Sequence, residues 1–238
     1  MKLDLKAPHT VYKGADGRRL VGVTTYLSMI AKPQLFKWYA DEERKGVLAS
    51  IEDGTPLPDR PFAEVKRDKA ADLGTVTHAR IEAWLTGEEL DPEGIPPEVY
   101  EQSRFGFDRF LSWWKSEGLT LLHSELVMVS DDPAYLSFGG TADIVATDKD
   151  GLFVLIDIKT TKKSRYWPYP ETYAQVAAYA SLYDWNHERV DRVVIVRIGK
   201  DAGDELEVVE VPYEKRIAGW KLFMAAYEAY GAKRELED

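Results

Sequence analysis

The run Gly139-Gly140-Thr141-Ala142-Asp143-Ile144-Val145-Ala146-Thr147-Asp148-Lys149-Asp150-Gly151-Leu152-Phe153-Val154-Leu155-Ile156-Asp157-Ile158-Lys159-Thr160 decides the fold. Its centre, Asp148 to Gly151, has the Asp/Gly chemistry that reverses a chain between two apolar strands. Asp143 and Asp157 are equidistant from Asp150, so an antiparallel pair sets them opposite each other, with Cβ atoms about 5 Å apart. Lys159 follows Asp157 by two residues and shares its face. Two carboxylates that close repel unless a cation joins them, and an ammonium nearby compensates further. A divalent-metal phosphodiesterase site needs this arrangement. The alternative is a surface hairpin with solvated charges. It fits poorly, because Leu152 to Ile156 is apolar at every position, as in a strand covered on both faces.

Around this hairpin the chain alternates in type. Tyr12 to Val21 reads as a short hairpin about Asp16-Gly17. Residues 23–47 read as one or two helices with Pro33 as a starter, and 52–63, with Gly54, Pro56, Pro58 and Pro61, as a connector. A helix over 64–85 carries His78, and Pro96-Pro97 opens another through Trp114. Strands are expected at 121–130, 142–147, 152–160, 190–198 and 205–211, with helices at 171–183 and 213–233. The order predicts an α/β fold: a mixed central sheet flanked by helices. Residues 1–118 are expected as a helical annex carrying the histidine, and 119–238 as the core of one compact unit.

With 238 residues, 45% apolar and 30% charged, the chain suits an ordinary globular domain with a large core. No run reaches membrane-spanning length, and Met1-Lys2-Leu3-Asp4-Leu5-Lys6 lacks a signal peptide's apolar core. Cysteine is absent, so nothing argues for an oxidising compartment and the cytoplasm is the default expectation. A net charge of −10 opposes broad coating of nucleic acid. The charges are unevenly placed, however. Acid gathers at Glu88-Glu89, Asp131-Asp132 and 201–210, and base at Lys66-Arg67-Asp68-Lys69 and directly after Lys159.

The pattern Gly-x-x-Asp143, Asp157-x-Lys159-Thr160 and Gln175-x-x-x-Tyr179, with His78 upstream in Leu-Gly-Thr-Val-Thr-His-Ala-Arg-Ile-Glu, resembles the RecB-type branch of the PD-(D/E)XK nucleases. Gly22-Val-Thr-Thr-Tyr-Leu and Lys32-Pro-Gln-Leu-Phe-Lys-Trp38 are similar to the opening of phage-encoded exonucleases and of the mitochondrial genome-maintenance exonuclease. The resemblance spans about Thr10 to Tyr183. It implies a restriction-endonuclease-like core and a phage or mobile-element origin, acting in the cytoplasm of a bacterial or phage-infected cell. Relatives often have serine where this chain has Gly22. The lack of cysteine excludes the iron–sulfur cluster of some relatives, which Cys thiolates hold.

From the residues, Asp143 and Asp157 offer hard oxygen ligands for Mg²⁺ or Mn²⁺. The resemblance adds His78 and the Ile158 carbonyl to that metal set. Lys159 would orient or deprotonate a water, or stabilise transition-state charge. Glu82, one turn from His78, is either an outer partner of it or a solvated charge. Glu125, in a strand where an unpaired carboxylate is costly, would assist the metals or pair with Lys159. Gln175 and Tyr179 share a helix face; as packing residues they would be half-buried, and the resemblance places them beside the site. Lys162, Lys163, Arg165, Tyr166 and Trp167 interleave base and aromatic, suited to phosphates and unpaired bases, or else form a solvated loop.

The sequence thus predicts a metal-dependent DNA exonuclease of single-stranded ends that leaves 5′-phosphate and 3′-hydroxyl groups. The helices before His78 are expected to arch over a passage lined by Lys162, Lys163 and Arg165. One alternative is an endonuclease on the same core, although no separate sequence-reading module is visible. Another is a non-catalytic nucleic-acid-binding scaffold. Such copies usually lose a carboxylate or the lysine, and here Asp143, Asp157 and Lys159 are all kept.

Overall fold

A computed structural model describes residues 1–5, 10–132, 136–161 and 167–237. The elements run β1 (Tyr12–Lys13), β2 (Arg19–Leu20), α1 (Val23–Leu27), α2 (Pro33–Asp53), α3 (Phe62–Leu85), α4 (Pro97–Glu117), β3 (Thr120–Asp132), β4 (Leu136–Thr147), β5 (Phe153–Thr160), α5 (Pro170–Asn186), β6 (Arg192–Ile198), β7 (Glu207–Glu210) and α6 (Tyr213–Glu237). One sheet has the order β3-β4-β5-β6-β7. β3, β4 and β5 pair antiparallel in turn, whereas the α5 crossover makes β6 parallel to β5. β7 closes the sheet antiparallel to β6. This is the expected α/β class, a mixed central sheet flanked by helices.

The β4–β5 turn forms as its residues dictate. Gly151 takes a positive φ of 79°, and Asp148 Oδ1 accepts hydrogen bonds from the N–H groups of Asp150 and Leu152, both at 3.0 Å. The ladder then runs from Thr147↔Phe153 to Ile144↔Ile156, the register inferred from the hairpin.

Helices cover both faces of the sheet. On one, α1, α5 and α6 bury Tyr26, Ala174, Ala178, Leu182 and Phe223 against Phe138, Ala142, Val145 and Leu155. The alanines of α5 let that helix come close to the strands. On the other, Ile81 of α3 and Phe110 and Trp114 of α4 pack on Ile144, Ile156, Ile158 and Val196. Phe110 and Phe138 have no exposed surface; burial at such positions stabilises by about 1.5–3 kcal/mol per side chain. Residues 1–118 therefore contribute to both layers, through α1 on one side and α3 and α4 on the other. Within that segment α2 packs along α3. The residues expected to line a passage, Lys162, Lys163 and Arg165, lie outside the described residues. No helix among the described residues is long and apolar enough to cross a membrane.

Candidate metal centre

The site lies where the sheet departs from its regular ladder. β3 and β4 keep one register from His123↔Val145 to Asp132↔Leu136, yet the opposed pair Glu125 and Asp143 is skipped. Glu125 has a φ of 48°, in the left-handed region that a non-glycine residue occupies at a cost. The alternation of faces slips there in both strands. In β4, Phe138, Ala142 and Val145 face the α5 layer while Ile144 and Ala146 face α4. In β3, Leu126 and Met128 face α5, and so does His123, whose ring lies 5.6 Å from that of His187 beyond α5. A slip of this kind re-aims side chains out of the pleat.

Re-aimed, Glu125 and Asp143 meet His78 of α3, and one ligand atom from each of the three lies within 4.8 Å of the others. His78 is fixed by the buried face of its helix, which includes Leu73, Val76, Thr77, Ala79 and Ile81. Its Nδ1 is 3.9 Å from Asp143 Oδ2. The same Oδ2 accepts the Ile158 N–H at 2.6 Å, so a side chain takes over where the β4–β5 ladder ends. Burial holds the His78 pKa below its ordinary value, against the upward pull of Asp143 and a main-chain hydrogen bond at Ile158. The imidazole is thus neutral at physiological pH and available as a ligand.

Glu125 reaches solvent at the rim, but its carboxyl end is crowded. Burial first, then the charges of Asp143, Glu82 and Asp157, push its pKa up to about 8. Water screens part of that effect, and its direction is what bears on the chemistry. Asp157 is 1% exposed. Lys159 Nζ lies 2.8 Å from its Oδ1, the hydrogen-bonded oxygen, and 2.7 Å from Oδ2, which accepts no hydrogen bond. Burial raises the Asp157 pKa despite this partner. Burial also works against the Lys159 ammonium, but Asp157 and Asp143 outweigh it and hold the lysine above its ordinary pKa. On α5, Gln175 Nε2 donates to the Tyr179 hydroxyl at 2.8 Å. Burial, then the nearby Asp157, keeps the Tyr179 proton on well above the ordinary tyrosine range.

The structure therefore brings together His78, Glu125 and Asp143, with the Ile158 main chain bonded to Asp143, and sets Asp157 beside Lys159. Trp167 is half-buried against the α5–α6 layer, with Tyr169 edge-on at 6.0 Å. Lys162, Lys163, Arg165 and Tyr166 lie outside the described residues. Beside the ligand cluster opens a cavity of about 350 Å³, lined by Leu3, Gly74, Thr75, His78, Ala79, Glu82 and Glu125. Sequence reasoning gave no role to Tyr12, whose ring covers Gly22 and Gly139. The signal for it was those glycines, since glycine in a strand marks the close approach of another group.

The donor set fits a hard divalent cation. One imidazole nitrogen and two carboxylates converge, and a buried carboxylate oxygen of Asp157, which pairs with Lys159, accepts no hydrogen bond.

No protein-family model matches the chain, and no curated protein sequence matches it. Among solved structures it is similar to a protein from Eubacterium rectale described as an exonuclease, at 10% identity over 73% of this chain and 68% of that one, with a TM-score of 0.46. It is also similar to the alkaline exonuclease LHK-Exo of Laribacter hongkongensis, at 13% identity over 85% of this chain and 99% of that one, with a TM-score of 0.34. At such low identity and overlap, function has to be read from the side chains of this site.

Proposed function

We propose that the protein is a metal-dependent nuclease that hydrolyses DNA from single-stranded ends. The observation carrying this reading is the convergence of His78, Glu125 and Asp143 beside a buried Asp157 paired with the half-buried Lys159. His78, Glu125, Asp143, Asp157 and the Ile158 carbonyl would hold Mg²⁺ or Mn²⁺, which when bound neutralises phosphate charge and lowers the pKa of water.

The chain's own groups then divide the work. Lys159 is held protonated by Asp157 and Asp143, which favours positioning a water and stabilising charge at the phosphate over accepting a proton. Tyr179 keeps its hydroxyl proton, and Gln175 fixes that hydroxyl beside the Asp157 end of the site. The preference for DNA ends, with 5′-phosphate and 3′-hydroxyl products, is supported by the order of motifs shared with RecB-type nucleases.

The test is cleavage of linear and circular single strands with Mn²⁺, paired with calorimetric Mn²⁺ titration. Linear strands should shorten progressively while circles persist; circles cut as fast as linear strands would replace an exonuclease by an endonuclease. Asp143→Asn should lose both Mn²⁺ binding and cleavage. Lys159→Ala should keep most Mn²⁺ affinity and lose about 10²–10⁴-fold in rate. Equal loss of metal affinity in the two variants sinks the division of roles, and a wild-type protein that cleaves neither substrate sinks the nuclease reading.

A further inference from the structure

We propose that Tyr12, which belongs to none of the nuclease motifs, is the positioning residue that sets Asp143 in the metal centre; the inference rests on the nuclease reading above. The β1–β2 hairpin is stapled to the sheet edge. Arg18 pairs with Asp131 of β3 and donates to Ser137 Oγ of β4 at 2.9 Å, and the Ala15 N–H donates to Asp131 Oδ2 at 2.7 Å. The chain beyond the hairpin bridges to β4 at Gly22 and Gly139, where the Gly139 N–H donates to the Val21 carbonyl at 3.0 Å.

Across this junction lies the Tyr12 ring. A Cβ on Gly22 would come within 2.8 Å of Tyr12 Cε2, and a Cβ on Gly139 would overlap Tyr12 Cγ. Both glycines are therefore the floor on which the ring rests. The neighbouring Gly140 is covered by a second tyrosine: its Cβ would lie 2.8 Å from Tyr179 Cε1. Successive residues of a strand point to opposite faces, so Tyr12 and Tyr179 clamp β4 from its two sides. The clamp sits a few residues before Asp143, where the strand slips.

The Tyr12 hydroxyl completes the device. It lies 3.1 Å from Thr141 Oγ1, two residues from Asp143. Thr141 is still paired with Val127, and Ala142 with Leu126, whereas Asp143 is the next residue and is unpaired. The ladder thus skips Asp143 directly after the segment Tyr12 holds and resumes at Ile144, paired with Ser124 and Ile156. The Ile158 N–H fixes one oxygen of the Asp143 carboxylate, and Tyr12 fixes the strand two residues before it, so the two together set where that carboxylate lies. Tyr12 acts on the ligand through β4, by position rather than by contact.

The test is Mn²⁺ titration of the full chain by calorimetry, well below each variant's melting temperature, with melting followed separately in EDTA. Tyr12→Ala should weaken Mn²⁺ binding about tenfold, in the range known for residues that orient a ligand. Tyr12→Phe and Thr141→Val each remove the hydroxyl contact and keep the packing. Each should weaken binding by roughly two- to fivefold, and the double variant should be no worse than either alone. Gly139→Ala should act as Tyr12→Ala does, and adding it to Tyr12→Ala should change little further.

A purely structural role would lower the melting temperature and leave Mn²⁺ affinity of the folded protein unchanged; that result overturns the proposal. If Tyr12→Ala does not fold, the Tyr12→Phe and Thr141→Val pair decides, and independent effects on affinity count against a shared contact. A wild-type chain that binds no Mn²⁺, or an Asp143→Asn chain that binds it equally well, overturns the metal-centre reading and this inference with it. Failure at Tyr12 alone leaves that reading standing.

Discussion

At the start of β5, Asp148 accepts two main-chain N–H groups and meets Arg192 at 2.9 Å, and Arg192 in turn holds Glu210 at 2.8 Å. Toward the far end of the same strand, Glu125 and Asp143 converge with His78, and beside them Asp157 is paired with Lys159. Burial alone would lift the Asp148 pKa, but the Leu152 N–H and Arg192 outweigh it and hold the group below its ordinary value. Glu125 is pushed the other way, up to about 8. One end of the sheet satisfies its carboxylates with the protein's own donors, and at the other, among the described residues, Glu125 and Asp143 crowd each other, and burial with that crowding raises the Glu125 pKa. Perturbation in the destabilised direction, gathered in one place beside a cavity, is what separates a reactive site from a structural ion pair.

The largest effect comes from exchanging the two behaviours. Glu125→Gln removes a repelled carboxylate, so the metal-free protein should melt no lower than wild type, while Mn²⁺ affinity falls by about 100-fold or more, beyond the range of residues that only orient ligands. Arg192→Leu leaves Asp148 enclosed without its cation and should destabilise by about 1–3 kcal/mol, with Mn²⁺ affinity unchanged. Denaturant melts and calorimetry on both variants measure the four quantities. If Arg192→Leu weakens Mn²⁺ binding as Glu125→Gln does, the two ends are not functionally distinct.

How much of this contrast is legible in the sequence depends on the residue. Asp148-Lys149-Asp150-Gly151 shows its turn openly, because Asx hydrogen bonding and a glycine with positive φ are local chemistry. The turn and the apolar strands together fix the β4–β5 register. The Asp157–Lys159 contact follows from the period of two. The paired slip at Glu125 and Asp143 is not local. It needs a left-handed Glu125 on one strand and a skipped partner on the next, and no residue type announces either. Simple alternation brings Asp143 opposite Asp157, whereas the slip gives its Oδ2 to the Ile158 N–H and brings it toward His78. Tyr12 was hidden for a related reason: its contacts with β4, at Gly139 and Thr141, are made across more than a hundred residues, and only the glycines it covers mark the spot.

A smaller effect separates the two ends by pH. The folded Glu125 carboxyl keeps its proton to about pH 8, whereas the unfolded one releases it near 4.5. Between those values the folded state binds more protons, so metal-free stability falls as pH rises through the window, and the loss is complete above it. Asp148 has the opposite sign. Its lowered pKa adds stability above the ordinary carboxylate value of 3.8, lost as pH falls below it. Melting in EDTA should therefore decline from mildly acidic to alkaline pH in wild type, with a shallower decline in Glu125→Gln. Arg192→Leu should keep that decline and lose part of the acid-side dependence. Parallel profiles for wild type and Glu125→Gln would show that the repelled carboxylate is not Glu125.

The smallest effect uses two helical glycines that differ only in where they lie. A Cβ on Gly231 of α6 would meet nothing within 4 Å, and a Cβ on Gly74 of α3 would meet only Thr160 Cβ, at an ordinary 3.8 Å. Alanine restricts the unfolded chain and suits a helix better than glycine, so each substitution should raise stability by about 0.5–1 kcal/mol. Gly231→Ala should leave cleavage kinetics untouched. Gly74, however, lines the cavity with His78 and Glu125, so its new methyl narrows the space beside the metal ligands. If the DNA strand passes there, Gly74→Ala should raise KM a few-fold while kcat and Mn²⁺ affinity hold, because the methyl touches the substrate's path and not the ligands. Melting temperature and KM measured on the same two preparations decide it. A stabilised Gly74→Ala protein with wild-type KM would place the strand elsewhere and leave the cavity a structural gap behind α3.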